Sequence, residues 1–341
     1  MPDSPYHMTL SLNLLNHLGI NLYSNVPAVL SETVANAWDA DAESVNIVID
    51  KHAGTIVITD NGHGMDLEDI NGKYLTVGYR RRDAGNQGGT TSKLKRPVMG
   101  RKGIGKLSLF SISRDIRIYT IKDSHKRGFR MQLSEIEEKI TRQESVYRPS
   151  VLPEFPSDLK QGTRIVLSDL KKNQHQTEAA LRKRLARRFS ILGEKSRFAL
   201  NINSKPVTVA DRGYFSKLQF LWHYGALSDL PISNPSKLGA CEERTNQFDV
   251  SAEGKTPAHT VRVTGWIGTV KESGDLKDEE DNLNKIVVMV RGKMAQEDIL
   301  EDFNEGGMYS KYLIGEISRG LSRPERAGRH RHQQSSENHG R

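Results

Sequence analysis

Three polar side chains recur at helical spacing early in the chain. Asn36 lies four residues after Glu32, and Asp39 lies seven residues after it. A helix over 26–40 would therefore place all three on one face. A carboxylate beside a carboxamide suits metal-assisted phosphoryl transfer, because an amide oxygen is a hard ligand for Mg²⁺ and a carboxylate can orient or deprotonate water. The alternative is an ordinary polar helix face in contact with solvent.

A second group of residues follows a predicted strand over 55–59. Asp60, Gly62 and Gly64 are separated by single residues, and Met65 comes next. A carboxylate at a strand end can accept a hydrogen bond from an exocyclic amine, and glycines let the backbone approach a flat ring. Methionine adds a pliable apolar wall. The alternative is a simple turn, because Asp-Asn-Gly is a frequent turn sequence.

A third group ends a basic, glycine-rich stretch. It runs Gly100-Arg101-Lys102-Gly103-Ile104-Gly105-Lys106. Glycine N–H groups at the start of a helix form an anion site, and the basic side chains add charge. The group fits the first seven positions of a P-loop, but the eighth must be Ser or Thr and is Leu107. The sequence therefore predicts a phosphate-binding turn that is not a P-loop.

The elements that must position these groups follow from periodicity and turn residues. Asn25 is a suitable N-cap for the helix over 26–40, and Pro27 fits its first turn. The other predicted elements are strands over 45–50, 55–59, 116–121, 129–133 and 164–167 and short helices over 67–75 and 106–112. Residues 78–103 are rich in glycine, lysine and arginine, which is typical of a functional lid or a disordered loop.

A second structural unit is predicted after residue 172. It would begin with a basic helix over 178–192 and continue with strands over 198–202, 261–267 and 286–291. The basic side chains of that helix could contact DNA phosphates or form a solvated surface; they are Arg182, Lys183, Arg184, Arg187 and Arg188. Residues 318–341 are poor in aliphatic side chains, which predicts disorder.

Composition restricts the class of protein. The chain has 341 residues, with 50 Lys+Arg against 42 Asp+Glu, a net charge of +8 and a pI of about 9.4. Basic clusters can bind polyanions, although charge alone does not distinguish this from a solvated surface. The lone cysteine, Cys241, excludes an internal disulfide and suits a reducing cytosol. The longest apolar run is far shorter than the ~20 residues of a membrane helix, and no Lys or Arg precedes Lys51, so we expect a cytoplasmic protein.

In order and spacing, these groups resemble the motifs of the GHKL ATPases, which include gyrase B, the ninety-kilodalton heat-shock chaperone, histidine kinases and MutL. The matching motifs are Glu32-x-x-x-Asn36-x-x-Asp39-Ala40, Asp60-x-Gly62-x-Gly64, Gly100-x-x-Gly103-x-Gly105 and Gly162-Thr163. The resemblance covers residues 14–170. It implies an α/β (α+β) two-layer sandwich that binds ATP with Mg²⁺ and hydrolyses it.

The resemblance also implies a role for each matching residue. Glu32 would activate the hydrolytic water, and Asn36 would bind Mg²⁺. Asp60 would accept from the adenine amine, supported through water by Thr163. The base would be lined by Gly62, Gly64 and Met65, and the phosphates would be wrapped by Gly100, Lys102, Gly103, Ile104, Gly105 and Lys106. The role of Asp39 varies in the family, so it is either a nucleotide contact or a structural residue.

Beyond residue 170, the segment Val290-Arg291-Gly292-Lys293 and a helix predicted over 297–303 are similar to the second domain of MutL and of Microrchidia (MORC) ATPases. We therefore predict an ATP-binding domain over 1–172 with a flexible lid over 78–103, a transducer-like domain over 173–317, and a disordered basic tail over 318–341. In such transducers a Lys or Arg reaches the terminal phosphate from a later loop, which here falls around 330–341. Because no strand is predicted there, we expect a tail that is truncated or out of register, in which case nucleotide would bind while turnover is impaired.

The motifs together predict Mg-dependent ATP binding and hydrolysis that drives lid closure and clamps two protomers into a homodimer. The basic clusters and the second domain favour a DNA-associated process such as repair, restriction or phage defence. The alternatives are an ATP-dependent protein-remodelling chaperone and a nucleotide-binding module without turnover. No contact with a membrane is expected.

Overall fold

The computed structural model describes residues 4–9, 25–76, 89–100, 105–171, 177–192, 196–226, 238–252, 255–278, 281–302, 307 and 309–320. These residues form two main sheets, and each sheet has its own apolar core. Within this part of the chain, no helix is both long enough and apolar enough to cross a membrane.

Ten strands make up the first part of the fold. They are β1 (Met8–Thr9), β2 (Ser44–Asp50), β3 (Thr55–Asp60), β4 (Ser113–Lys122), β5 (His125–Gln132), β6 (Val146–Tyr147), β7 (Ser150–Val151), β8 (Gly162–Leu170), β9 (Ala199–Ile202) and β10 (Lys205–Pro206). Eight of them form one mixed sheet in the order β10-β9-β2-β3-β8-β4-β5-β7, in which β2 and β9 run parallel. The other two, β1 and β6, pair separately.

Three α-helices pack against this first sheet: α1 (Val26–Asp39), α2 (Leu133–Thr141) and α3 (Glu178–Arg188). Strand β2 shows why the helices cover only one face of the sheet. Its residues Val45 and Ile47 are buried, while the alternate residues Asn46 and Val48, on the other face, are exposed. The buried strand residues share one core with apolar residues of all three helices. The chain therefore has the two-layer α/β sandwich that the sequence predicts.

Helix α1 begins as its sequence predicts. The side chain of Asn25 accepts a hydrogen bond from the N–H of Ala28 at 3.0 Å, which satisfies one of the unpaired donors of the first turn. Pro27 occupies that first turn, where its missing N–H costs nothing. The helix ends at Asp39, and Asp41 then adopts a left-handed φ of 57°. This reversal sends the chain into β2.

The first sheet continues past the predicted boundary at residue 172. Strand β9 pairs in parallel with β2, with Ala199 opposite Ser44, and Leu181 and Leu185 of α3 are buried in the first core. A helix and a short strand that follow a loop have the same local sequence pattern whether they start a domain or complete one. The pairing places the end of the first sheet at β10.

Nine strands make up the second part of the fold. They are β11 (Leu218–Tyr224), β12 (Ala240–Arg244), β13 (Gln247–Ala252), β14 (Lys255–Val270), β15 (Lys277–Asp278), β16 (Asp281–Asn282), β17 (Ile286–Val290), β18 (Lys293–Gln296) and β19 (Leu313–Gly320). Seven of them form the second sheet in the order β12-β11-β14-β19-β17-β18, with β13 on β14, while β15 and β16 pair separately. Residues 318–320, which we predicted to belong to a disordered tail, pair with β14 instead.

Three predicted helices differ from the structure. The segment predicted as a helix over 67–75 contains a π-helix at Asp69–Tyr74, closed by the N–H of Leu75 on the carbonyl of Ile70 at 2.7 Å. The predicted helix over 106–112 is a 3₁₀ stretch at Gly105–Ser111, and within the described part of the one predicted over 297–303, Leu300–Asp302 form a 3₁₀ turn. Short runs of apolar residues indicate a helical turn but do not determine which hydrogen-bond pattern closes it.

Candidate nucleotide site

Helix α1 is buried along its length except at two positions. Twelve of its fourteen residues are buried, and the two that are not are Glu32 and Asn36. The neighbouring polar residues Ser31 and Thr33 are both buried. An ordinary amphipathic helix would leave a continuous polar stripe in solvent. In α1 the accessible carboxylate and carboxamide are instead surrounded by buried residues. The alternative of an ordinary polar helix face in contact with solvent therefore does not describe this helix.

Asp39, the third residue of the predicted face, is buried and binds backbone. Its two carboxylate oxygens accept hydrogen bonds from the N–H of Met99 at 2.8 Å and from the N–H of Gly100 at 2.9 Å. A Cβ on Gly100 would lie 2.9 Å from this carboxylate, so the close approach favours glycine. The contact brings the start of the glycine-rich group to the end of α1.

The rest of the glycine-rich group is only partly described. Lys102, Gly103 and Ile104 lie outside the described residues, so the structure does not place these predicted site residues. The backbone of Gly105 and Lys106 opens the 3₁₀ stretch Gly105–Ser111, which contacts α1.

The loop after β3 packs against the same end of α1. The N–H of His63 donates to the carbonyl of Ala40 at 2.9 Å. A Cβ on Gly62 would lie 2.7 Å from that carbonyl oxygen, and a Cβ on Gly64, whose φ is +70°, would lie 2.0 Å from the carbonyl oxygen of Ile121. Both glycines are therefore required by close backbone packing, in addition to any ligand contact.

Asp60 is the titratable group of this loop. One of its carboxylate oxygens accepts from the N–H of Gly62 at 2.8 Å. Burial raises the pKa of Asp60 to about 6, and hydrogen bonds from the backbone of Gly62 and Thr163 oppose that rise. Thr163 lies directly opposite Asp60 in the β3–β8 pairing. A carboxylate with few partners in a desolvated position is a strong acceptor for a ligand N–H group.

A chain of hydroxyl groups continues from Thr163. Its Oγ1 lies 3.2 Å from Oγ1 of Thr120, which in turn accepts from the N–H of Met65 at 2.9 Å. Sequence reasoning missed Thr120. The signal that could have found it is a hydroxyl in alternation with the buried Ile116 and Ile118 of β4, since Thr120 is fully buried as well. The contact also ties Met65, predicted to line the base, to β4.

A lysine of the second sheet reaches the accessible face of α1. Nζ of Lys293 lies 2.8 Å from Oε2 of Glu32, and the two side chains are 15% and 24% exposed. This Lys belongs to the segment that is similar to MutL, but the prediction for the phosphate-directed cation is around 330–341, which lies outside the described residues. The position of Lys293 is set by a tight turn, in which Arg291 and Gly292 have φ values of 56° and 88°.

The predicted DNA contacts of α3 are largely used within the protein. Arg182 pairs with Asp211 at 2.6 Å, and Arg187 pairs with Asp281 at 3.1 Å. Arg188 lies 3.8 Å from Glu297. Side chains held in such pairs are less available to phosphates, so α3 is a weaker candidate for a DNA surface than its composition suggests.

The described residues of the four motifs therefore lie on α1 or around its C-terminal end. A family model described as "Histidine kinase-, DNA gyrase B-, and HSP90-like ATPase" matches residues 23–177, which contain all of them. These residues form an ATPase domain of the GHKL family. In this domain the loop after β3 contacts the residue that follows α1, Gly100 binds the carboxylate at the last position of α1, and Glu32 and Asn36 are the accessible residues of the same helix.

Two relatives extend this comparison. The chain is 41% identical over 317 residues, or 93% of its length, to a protein named "Putative type II restriction enzyme HgiDII" from Herpetosiphon aurantiacus. It spans 49% of that relative, about half. It is also 26% identical over 136 residues to the chaperone protein HtpG of Ehrlichia ruminantium, of which it covers 21%. Both similarities are consistent with the GHKL domain, while the predicted likeness to Microrchidia proteins stays a prediction.

Proposed function

We propose that this protein binds Mg·ATP at the end of α1 and hydrolyses it. The observation that carries the proposal is the burial of α1 everywhere except at Glu32 and Asn36. A buried helix that leaves a carboxylate and a carboxamide accessible one turn apart offers a base for water and a ligand for a metal. The GHKL domain assignment of residues 23–177 supports the same reaction.

Each residue has a distinct part in this reaction. Glu32 orients and deprotonates the attacking water, and Asp60 accepts from the adenine amine with Thr163 beside it. Gly62, Gly64 and Met65 line the base, and Gly100 begins the turn around the phosphates. Asp39 serves this turn indirectly, because its carboxylate holds the N–H groups of Met99 and Gly100.

The donor set fits Mg²⁺. Asn36 supplies an accessible amide oxygen, the hard donor that this ion prefers, and Mg²⁺ in nucleotide sites usually takes one or two protein oxygens together with phosphate oxygens and water. When bound, the ion would neutralise charge on the phosphates and lower the cost of water attack.

We further propose that nucleotide closes the lid over 78–103 and clamps two protomers together, as the family resemblance implies. The biological setting that we favour is a DNA-associated process in the cytoplasm. The supporting observation is the 41% identity to a protein whose name denotes a restriction enzyme. Because the chain spans about half of that relative, the whole relative's activity is not carried over.

A chaperone function is the second candidate, and the similarity to HtpG favours it. Salt dependence separates the two settings. A DNA-associated ATPase should bind duplex DNA with an affinity that falls steeply between about 50 and 200 mM salt, as expected for released counterions. A chaperone should suppress aggregation of an unfolded client in an ATP-dependent manner and show no such DNA affinity.

The test of the ATPase is steady-state turnover by the wild type and by Glu32→Gln, with and without EDTA. Glu144→Gln is the matched control, since Glu144 pairs with Lys139 outside the site. We expect Mg-dependent phosphate release that Glu32→Gln lowers at least about 100-fold without weakening ATP binding, while the control keeps it. ATP binding without turnover in the wild type would identify a nucleotide-binding module, and equal turnover in Glu32→Gln would remove Glu32 from catalysis.

A further inference from the structure

The carboxylate of Asp41 lies just beyond the motif of α1 and is used by a single loop. Its Oδ1 accepts from the hydroxyl of Thr91 at 2.5 Å and from the N–H of Leu94 at 3.1 Å. Its Oδ2 accepts from the N–H of Lys93 at 2.8 Å and from the hydroxyl of Ser92 at 3.3 Å. Four consecutive residues of the described lid segment 89–100 thus donate to one carboxylate that is 7% exposed.

The same segment is fixed at a second point by Arg96. The guanidinium of Arg96 donates to the carbonyls of Ala42 at 2.5 Å and Arg197 at 2.8 Å, and it stacks 4.3 Å from the ring of Trp38. The indole N–H of Trp38 donates to the carbonyl of Pro97 at 2.9 Å. A buried cation held by carbonyls and an aromatic face is costly to displace.

The segment also closes on itself. The N–H of Thr91 donates to the carbonyl of Arg96 at 2.8 Å, and the N–H of Val98 donates to the carbonyl of Gly89 at 2.9 Å. The loop therefore has a defined shape that ends at Gly100, where Asp39 holds the backbone. Three residues at or just beyond the end of α1, Trp38, Asp39 and Asp41, bind it together.

The opposite side of segment 89–100 meets the second sheet. Nη1 of Arg291 donates to the carbonyl of Val98 at 3.0 Å, and a Cβ on Gly292 would lie 3.1 Å from the Met99 side chain. The segment is therefore packed between the end of α1 and the β17–β18 turn, which also carries Lys293.

We propose that Asp41 is a positioning residue for nucleotide binding: by holding segment 89–100, it fixes the point at which Gly100 leads into the phosphate-binding turn and the surface on which the β17–β18 turn docks. This inference rests on the proposed binding of ATP. It adds to the family motif a residue that touches neither nucleotide nor metal and acts through the backbone of Lys93 and Leu94.

The experiment compares Asp41→Gly with Asp41→Asn. Asp41 has a φ of 57°, so Ala would add backbone strain, whereas Gly removes the side chain without strain and Asn tolerates this conformation while keeping one acceptor oxygen. Asp50→Gly is the matched control, because Asp50 also accepts from two backbone N–H groups, those of His52 and Ala53, but in the turn after β2.

Two readouts are measured on the full chain. Without nucleotide, hydrogen exchange of the amides in 89–100 should be at least about tenfold faster in Asp41→Gly and unchanged in Asp50→Gly. The Kd for a non-hydrolysable ATP analogue should rise about tenfold or more in Asp41→Gly, with Asp41→Asn between it and the wild type, while kcat at saturating ATP should change much less.

The outcomes are distinguishable. Faster exchange with an unchanged Kd would make Asp41 a structural residue alone and overturn the proposal, as would unchanged exchange in Asp41→Gly. A wild type that fails to bind the analogue would overturn the proposed function itself, whereas wild-type binding that Asp41→Gly matches would overturn only the role of Asp41.

Discussion

The ammonium group of Lys293 lies 2.8 Å from the carboxylate of Glu32 and joins two separate sheets of the protein. Glu32 lies on α1, which packs against the first sheet, and Lys293 is the first residue of β18 in the second sheet. The pair is held by backbone on the lysine side, since the N–H of Ser190 donates to the carbonyl of Gly292 at 3.0 Å and Phe189 bridges to Lys293. The orientation of the proposed catalytic carboxylate therefore depends on how the second sheet docks.

The first prediction concerns this pair. Lys293→Met should lower kcat for ATP hydrolysis about 10- to 100-fold, because Glu32 loses the partner that directs it and the site loses a positive charge near the phosphates. ATP affinity should change less, because Asp60 and the glycine turn are untouched. Steady-state kinetics and analogue binding would separate the two effects, and Lys293→Arg should recover part of kcat.

Lys285→Met is the matched control for that experiment. Lys285 lies directly before β17 of the same sheet and pairs with Glu297 at 2.8 Å, and Glu32 is not among its ion-pair partners. It should keep wild-type kcat. If both variants lost kcat equally, the cause would be damage to the second sheet, and a wild-type kcat in Lys293→Met would show that the ion pair is not needed for turnover.

The second prediction concerns Asp60. Asp60→Asn should weaken ATP binding at least about 100-fold. The amide NH₂ of Asn cannot accept from the adenine amine, so a buried hydrogen bond is replaced by repulsion between two donors. Isothermal titration with an ATP analogue measures the loss. Asp158→Asn is a suitable control, since Asp158 is paired with Arg164 at 2.7 Å near the same sheet but is largely exposed. Retained affinity in Asp60→Asn would move the adenine elsewhere.

The third prediction is a pair of opposite pH dependences from the same group. Burial raises the pKa of Asp60 to about 6. Because the ionised form is the adenine acceptor, ATP affinity should fall as the pH drops through about 6. The nucleotide-free fold instead holds the Asp60 proton more tightly than the unfolded chain does, so the stability contributed by this group is present at low pH and lost as the pH rises through about 6.

Asp60→Asn tests the stability half of this prediction. It should raise the midpoint of thermal unfolding by about 2–5 °C at pH 7 and by much less at pH 4, because the variant never carries the buried charge. Differential scanning fluorimetry across this range gives both values. An equal change at the two pH values would show that Asp60 titrates near its ordinary pKa.

The sequence predicted the parts of the site that depend on local spacing. Glu32 and Asn36 are both accessible on one helix, and Asp60, Gly62 and Gly64 lie in one loop, as expected. Both groups could be predicted because each lies within a single element or turn. The pairing of Lys293 with Glu32 could not be predicted, because it joins residues 261 positions apart through the docking of two sheets. The same applies to β9, which a local pattern cannot assign to one sheet or the other.

The last prediction concerns the buried contact that sets this docking. The guanidinium of Arg212 is 1% exposed; it donates to Glu316 of β19 at 2.6 Å and to the carbonyls of Ala186 and Phe189 at 3.0 and 2.8 Å. Tyr214 also donates to Glu316, and burial raises the pKa of Tyr214 well above its usual value. Arg212 thus satisfies the end of α3 and anchors it to the second sheet.

Removing Arg212 should therefore lower both the free energy of unfolding and kcat. Arg212→Met leaves Glu316 buried without its cation, which should destabilise the fold by about 3–5 kcal/mol, whereas Arg244→Met, at an exposed pair with Glu242, should cost less than about 1 kcal/mol. Arg212→Met with Glu316→Gln should recover part of the loss, because the uncompensated charge is gone.

Since Phe189 bridges to Lys293, kcat should fall in Arg212→Met as well, when it is measured below the unfolding temperature, and ATP affinity should be retained. Thermal unfolding and turnover measured on the same samples would show whether the two effects share this contact, and a destabilised variant with wild-type kcat would uncouple Arg212 from the Lys293–Glu32 pair.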